Sequence, residues 1–502
     1  MNKTRKEYND TAKTIFCVFL SVLTAGWISC GEQRAADGTP EGMPSIFPDY
    51  TEVTIPPNIA PLHFKWADSC RFEQSFALFE IDGKQTEVKG RKGQFAISVS
   101  SWKKLMAEAG GKTLYVTLSG KCNGEWHRYS TFPIYIAAEP IDPYLAYRLI
   151  EPGYEIWHEM GIYQRCLENY EETAIVTNRQ MEYNCMNCHS FCMQQPDRML
   201  LHIRDKFACT LLINDGQVEK LNTKTDRTLS PLVYPSWHPS GKYVAFSVNN
   251  TNQMFHTSDR NRVEVFDFAS DVVVYDVEKH EIITAPPLFS KAAFETFPTF
   301  SPDGKTLYFC SSDTVPMPYA YNKVRYSLCS ITFDADRRRF GATVDTLFKA
   351  GADTKSVSFP RVSPDGKFLM FTLSGYGNFS IWHKDADLYM LSLDDHSIRP
   401  LDALNSEDVE SYHSWSSNSR WVVFSSRRID GLYTRPYIAY IHPDGQPSKP
   451  FLLPQKDVDF YHRFMKSYNI PELITGKVRQ KGYTLSRTAI HEQGEQVTFF
   501  KR

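Results

Sequence analysis

Cys185, Met186, Asn187, Cys188 and His189 form one run, with two thiols three residues apart and an imidazole directly after the second. In a chain of 502 residues with 11 cysteines and 14 histidines, such a run arises by chance about 0.007 times. The chemistry that uses this C-x-x-C-H spacing is covalent haem attachment. Two thiols add across the two vinyl groups on one edge of a porphyrin, and the imidazole reaches the iron as proximal ligand. Positions i, i+3 and i+4 share one face of a helical turn. Cys185 and Cys188 would then take neighbouring vinyls while His189 takes the metal. Met199 and His202 follow closely and can fold back to the sixth position of the iron. Met193 is only four residues from His189, which puts it on the proximal side of one rigid helix. Two other readings stay open. Cys185, Cys188, His189 and Cys192 could hold zinc, although a second ligand pair is missing and only Cys209 is available as an extra ligand. The cysteines could also be a plain redox or structural pair.

The elements that must position this run begin with an export pattern. Lys3, Arg5 and Lys6 precede the apolar stretch Thr14 to Ile28, which is too short to span a bilayer comfortably. It ends in Trp27-Ile28-Ser29-Cys30-Gly31, the pattern of a lipoprotein processing box, so residues 1–30 read as a signal peptide and Cys30 as the lipidated residue. Residues 31–43 are small, polar and Gly/Pro-containing, as suits a flexible tether. The expected location is the bacterial cell envelope, as a periplasm-facing or surface lipoprotein of the outer membrane, held by acyl chains. A net charge of −2 with no basic stripe excludes a nucleic-acid partner.

Aromatic residues make up 14% of the chain and sit in many short strand-like runs, which points to a mainly β protein. Strand patterns at short spacing over residues 44–138 predict a small immunoglobulin- or fibronectin-type-III-like sandwich, with a short helix over residues 101–110. Cys70 and Cys122 fall within it and can pair in an oxidising envelope, though spacing fixes no connectivity. Residues 139–197 read as a linker that carries the C-x-x-C-H run.

Beyond it, segments starting at Tyr234, Phe297, Phe359 and Tyr412 repeat one pattern: an aromatic residue, Pro or His, an apolar residue, a tight turn, then a strand. In Pro302-Asp303-Gly304 and Pro364-Asp365-Gly366, Pro presets φ, Asp bonds the backbone and Gly accepts positive φ. Trp237, Phe300, Val362 and Trp415 share one repeat position and read as packing residues. His238 reads as a loop histidine. These repeats resemble those of TolB-type β-propellers, periplasmic relatives of WD-repeat proteins. That resemblance implies a propeller over residues 198–502, with six blades. A fifth blade is expected from Met199, Thr210 and Gln217 onwards, and a sixth from strands around Tyr483 and Gln496.

No G-x-S-x-G elbow, H-E-x-x-H or P-loop is present, so hydrolase, zincin and NTPase readings have no residues to carry them. The leading expectation is an electron carrier or redox sensor. One covalent haem c would lie beside the propeller, and a protein redox or envelope partner would dock on the propeller face. The alternative is a non-catalytic binding or scaffold lipoprotein with structural cysteines.

Overall fold

The structure is a computed structural model and describes residues 40–68, 70–153, 158–351 and 354–500. Residues 1–30, read as a signal peptide ending at Cys30, and most of residues 31–43, read as a tether, lie outside the described residues. No helix among those described is long and apolar enough to cross a membrane.

Two sheets open the chain. The smaller pairs Ile46–Phe47, Phe64–Trp66 and Gln94–Phe95. The larger runs Thr54–Ile55, Phe132–Ile136, Thr113–Cys122, Gln74–Ile81, Lys84–Lys89, with Glu125–Arg128 beside Thr113–Cys122. Gln74–Ile81 alternates buried and half-buried residues along its length, the signature of a strand with one face on a core. The helix spans Val99–Met106, starting before residue 101 because the Ser98 side chain caps it, accepting from Ser101 N at 3.1 Å. Cys70 and Cys122 form a disulfide.

Six further sheets follow, of four or five strands each. In five of them the chain simply meanders outward from an inner strand: Met186–Phe191, Val233–Trp237, Ala293–Phe300, Ser356–Val362 or Glu410–Trp415. The remaining sheet is assembled from both ends of the chain. Its inner strand, Ser467–Ile474, pairs antiparallel with Tyr144–Ile150, followed by Gly161–Cys166 and Glu172–Thr177. Each inner strand packs on the next, and Ser467–Ile474 packs on both Glu410–Trp415 and Met186–Phe191, which closes the circuit.

Residues 139–197, read as a linker, therefore contain strands of two of these sheets. Tyr144–Ile150 buries Leu145, Tyr147 and Leu149 and must find an edge to pair with. Residues around Tyr483, expected as a strand, form the helix Gly482–His491 instead. Leu485, Thr488 and Ala489 bury there at helical spacing. The segment around Gln496 supplies only two short parallel edge strands, Glu495–Gln496 and Thr498–Phe499.

The repeated turn works as its residues predict. Ser301 Oγ donates to Asp303 at 2.5 Å and accepts from Thr306 N at 3.0 Å. Ser363 does the same with Asp365 and Phe368. The copy at Ser416 lacks Pro, Asp and Gly yet keeps the geometry: Asn418 replaces Asp, and Ser419 adopts φ 61°. His238 is buried between repeats, with Nδ1 on Ser240 Oγ at 2.7 Å and Nε2 on the Gly304 carbonyl at 3.1 Å. A Cβ at Gly304 would collide with that ring, so glycine is needed there for space as well as for its φ of 72°.

Burial also collects carboxyls. Desolvation, reinforced by Asp271, pushes Glu295 up to about 8, and burial pushes Asp267 up to about 7. An ordinary carboxyl ionises near pH 4, so between about pH 4 and 8 the native state holds protons that the unfolded chain has released. Stability falls as pH rises through that window. Glu295→Gln removes its share of this loss. The variant should melt close to the parent at pH 5 and roughly 2 °C or more above it at pH 8, read by calorimetry at both values.

Candidate functional site

The inner strands share one distortion. In each, the pairing register with the neighbouring strand shifts by a residue, between Asn187 and Ser190 in the first and at the matching place in the others. The residue inside each bulge has φ near +50°: Cys188, Tyr234, Phe297, Phe359, Tyr412 and Ile470. That backbone region costs a non-glycine residue roughly 1–2 kcal/mol, and a bulge re-aims the side chain it carries. Here the side chains meet one another. Successive rings from Tyr234 to Phe297, Phe359 and Tyr412 lie 4.6, 4.1 and 4.9 Å apart. Cys188 takes the remaining place. Burial raises its thiol pKa.

Next in sequence come His189, Pro235, Pro298, Pro360, His413 and Pro471. Cys188-His189-Ser190-Phe191 thus occupies the same slot as Tyr412-His413-Ser414-Trp415. The packing that follows is also shared. Trp237 Nε1 donates to the Ser190 carbonyl at 3.3 Å, and Trp415 Nε1 to the Arg361 carbonyl at 3.1 Å, each reaching the preceding sheet.

At the end of the circuit where the inner strands begin lies a cavity of about 1110 Å³. Cys185, Asn187, Cys188 and His202 line it, with Tyr234, Tyr412, Ile470 and Trp382. Arg148, Arg204 and Arg427 bring positive charge, against Glu151 and Asp205. One wall is the outer half of a long hairpin, Tyr243–Phe255 paired with Val263–Asp276.

The haem geometry can be tested against these positions. The C-x-x-C-H run lies at the start of a bulged strand, with Cys185 just before it, rather than on a helical turn. Residues three apart in a strand are separated by about 10 Å, not the 5–6 Å of helical neighbours, and the bulge at Cys188 turns its side chain toward the cavity that Cys185 also lines. Both thiols reach the cavity, but His189 does not line it. Its ring is 2% exposed and tilted against Phe191 at 6.2 Å, and burial depresses its pKa to about 3. Neither ring nitrogen makes a hydrogen bond of normal geometry, although the Ile470 carbonyl faces it. Both thiols reach the cavity while the imidazole is buried away from it, and this arrangement does not let all three residues hold one porphyrin.

The expected sixth ligands separate as well. Met199 is fully buried in an apolar core opposite Phe191. His202 lies opposite Asn187, lines the cavity and bonds Thr210 Oγ1 at 3.3 Å. Cys192 packs in another apolar cluster, and no group of three or more metal-binding side chains occurs among the described residues. Sequence reasoning missed Arg148, Arg204, Arg427 and the hairpin amides. Their one sequence signal is Asn249-Asn250-Thr251-Asn252-Gln253, a polar run inside a strand.

No family model matches the chain, and no curated protein matches it. Among solved structures, puromycin hydrolase aligns with a TM-score of 0.37 and 13% identity, over 61% of this chain and 45% of that one. An oligogalacturonate lyase in complex with manganese aligns at 0.35 and 10%, over 61% and 72%. The β-propeller domain of the Trilobed protease from Pyrococcus furiosus aligns at 0.31 and 8%, over 69% and 96%. The chain spans less than half of puromycin hydrolase. The protein is mainly β, and the circuit of six sheets packed through their inner strands makes its fold propeller-like.

Proposed function

We propose that this chain is a non-catalytic binding protein of the cell envelope. A six-bladed propeller, preceded by an immunoglobulin- or fibronectin-type-III-like sandwich and tethered through a lipidated Cys30, presents the cavity at one end of its axis to a ligand. The observation that carries this reading is the position of Cys188 and His189. They stand in the slot that the other inner strands fill with an aromatic or aliphatic residue and, in four cases, proline, so the blade alone accounts for them. The six sheets and the joining of Tyr144–Ile150 to Ser467–Ile474 support a closed ring. The sandwich and the last blades share one apolar core, reinforced by Lys65–Asp459 at 2.6 Å and Lys449–Asp49 at 2.7 Å.

The competing reading is a covalent haem c protein that passes electrons to a docked partner, and what favours it is the unpartnered imidazole of His189. Thiol chemistry separates the two. The full chain, matured in a host competent for haem attachment, is unfolded and treated with an alkylating reagent. Two modified cysteines at 185 and 188 are expected. Two that resist the reagent and carry the mass of one haem would overturn the proposal.

A further inference from the structure

We propose that the cavity binds an acidic oligosaccharide whose sugar units carry carboxylates, an inference that rests on the binding reading above. The first observation is charge. Arg148 and Arg204 line the cavity without an ion pair among the described residues. Of the two carboxylates there, Glu151 already has Lys466 at 3.7 Å. Guanidinium groups left in this state favour carboxylate partners held by paired hydrogen bonds.

The second observation is the hydrogen-bonding character of the walls. Asn187, Asn249, Asn250, Asn252, Gln253 and Asn469 place amides around the space, each able to donate and accept. Asn249 is buried, yet its Oδ1 has no partner, and Asn187 Oδ1 and Arg148 Nε are likewise buried and unpartnered. Buried polar atoms without partners are rare and costly, and sugar hydroxyls would satisfy both amide oxygens. Phe255, 55% exposed at the hairpin end, offers an aromatic face beside these amides.

Third, the wall is rigid. Glu264 on the hairpin accepts from Tyr376 Oη at 2.5 Å and pairs with His383 Nε2 at 2.9 Å. Asp267 accepts from Asn249 at 2.9 Å and Asn378 at 2.7 Å. The bonds to Tyr376, His383 and Asn378 tie the hairpin to the segment between Phe368–Ser374 and Asp387–Ser392 of another sheet, and Asn249–Asp267 braces the hairpin's own two strands, so little order has to be gained on binding. The volume of about 1110 Å³ exceeds the roughly 300–1,000 Å³ typical of small-molecule sites, which suits an oligomer.

The test is calorimetric titration of the full mature chain with trigalacturonate, trimannuronate, the methyl ester of each, and an acidic peptide of matching charge. At least one uronate should bind, and its uncharged ester should bind about tenfold more weakly, as should the acid to Arg204→Gln. Asn252→Ala should weaken binding about threefold. Both residues are exposed, so the variants test contacts and not folding. Binding by neither uronate, equal binding of acid and ester, tighter binding of the peptide, or an unchanged Arg204→Gln would each overturn the proposal. Any of these from a colourless chain leaves the binding reading standing. A chain that carries haem removes the reading itself.

Discussion

A chain that ends after Lys466 is expected not to fold. The missing segment contains the inner strand Ser467–Ile474, which pairs with Tyr144–Ile150 and packs on the two flanking inner strands. With it go Tyr468, Leu473, Ile474 and Leu485, all essentially inaccessible to solvent. At roughly 1.5–3 kcal/mol for each buried apolar side chain, their loss alone matches the 5–15 kcal/mol that holds a typical domain together. The truncation also exposes one long edge of a strand that buries Leu145, Tyr147 and Leu149, its other edge staying paired with Gly161–Cys166, and such an edge recruits other chains. Urea denaturation followed by fluorescence should show no cooperative transition, with the protein largely in aggregates. A sigmoidal unfolding curve like that of the parent would show that the first sheet stands without its inner strand.

Arg435→Ala should be the most damaging single substitution near that closure. Arg435 is fully buried, and its guanidinium donates to the carbonyls of Lys466 at 2.8 Å, Tyr461 at 3.0 Å and Phe464 at 2.7 Å. These three carbonyls belong to the segment that leads the chain back to its closing strand. Asp430, 3.8 Å away, supplies the counter-charge, and burial pulls the guanidinium pKa down. Removing the side chain leaves acceptors without donors and an empty volume among Tyr461, Phe464 and Tyr433. Breaking a buried, hydrogen-bonded charge in this way costs about 3–5 kcal/mol. Equilibrium denaturation should show that loss, and a loss below about 1 kcal/mol would mean that the segment is anchored elsewhere.

What could be read from the chain alone was set by which positions repeat. Tyr234-Pro, Phe297-Pro and Phe359-Pro keep both the residue at the bulge and the turn that follows, so their kinship is visible. Tyr412-His413-Ser414-Trp415 remained visible after losing the proline and most of its turn, because the flanking strand pattern survived. Ile470-Pro471 and Cys188-His189 were hidden for different reasons. The first ends the meander pattern and has no Pro-Asp-Gly turn after it. The second coincides with a motif whose chemistry presumes a helix. The strand character of Ser190-Phe191 and the likeness to His413-Ser414-Trp415 were the signals against a helix. The disulfide Cys70–Cys122 was legible as a possibility because both residues fall among paired strands of one unit. The cavity was not legible, since its walls come from distant segments such as Arg148, Asn252 and Asn469, which only ring closure brings together.

The role of Cys188 and His189 as a blade position is tested most directly by His189→Pro. Proline in a central strand ordinarily removes a ladder hydrogen bond. Here the ladder runs from Asn187–His202 to Ser190–Leu200 and skips Cys188 and His189, and proline already fills the matching place at 235, 298, 360 and 471. The variant and its parent, both produced where haem can be attached, are compared by thermal melting and optical absorption. The account predicts two colourless proteins whose melting temperatures agree to within about 3 °C. A parent with an intense haem band that the variant lacks, or a variant that does not fold, would contradict it.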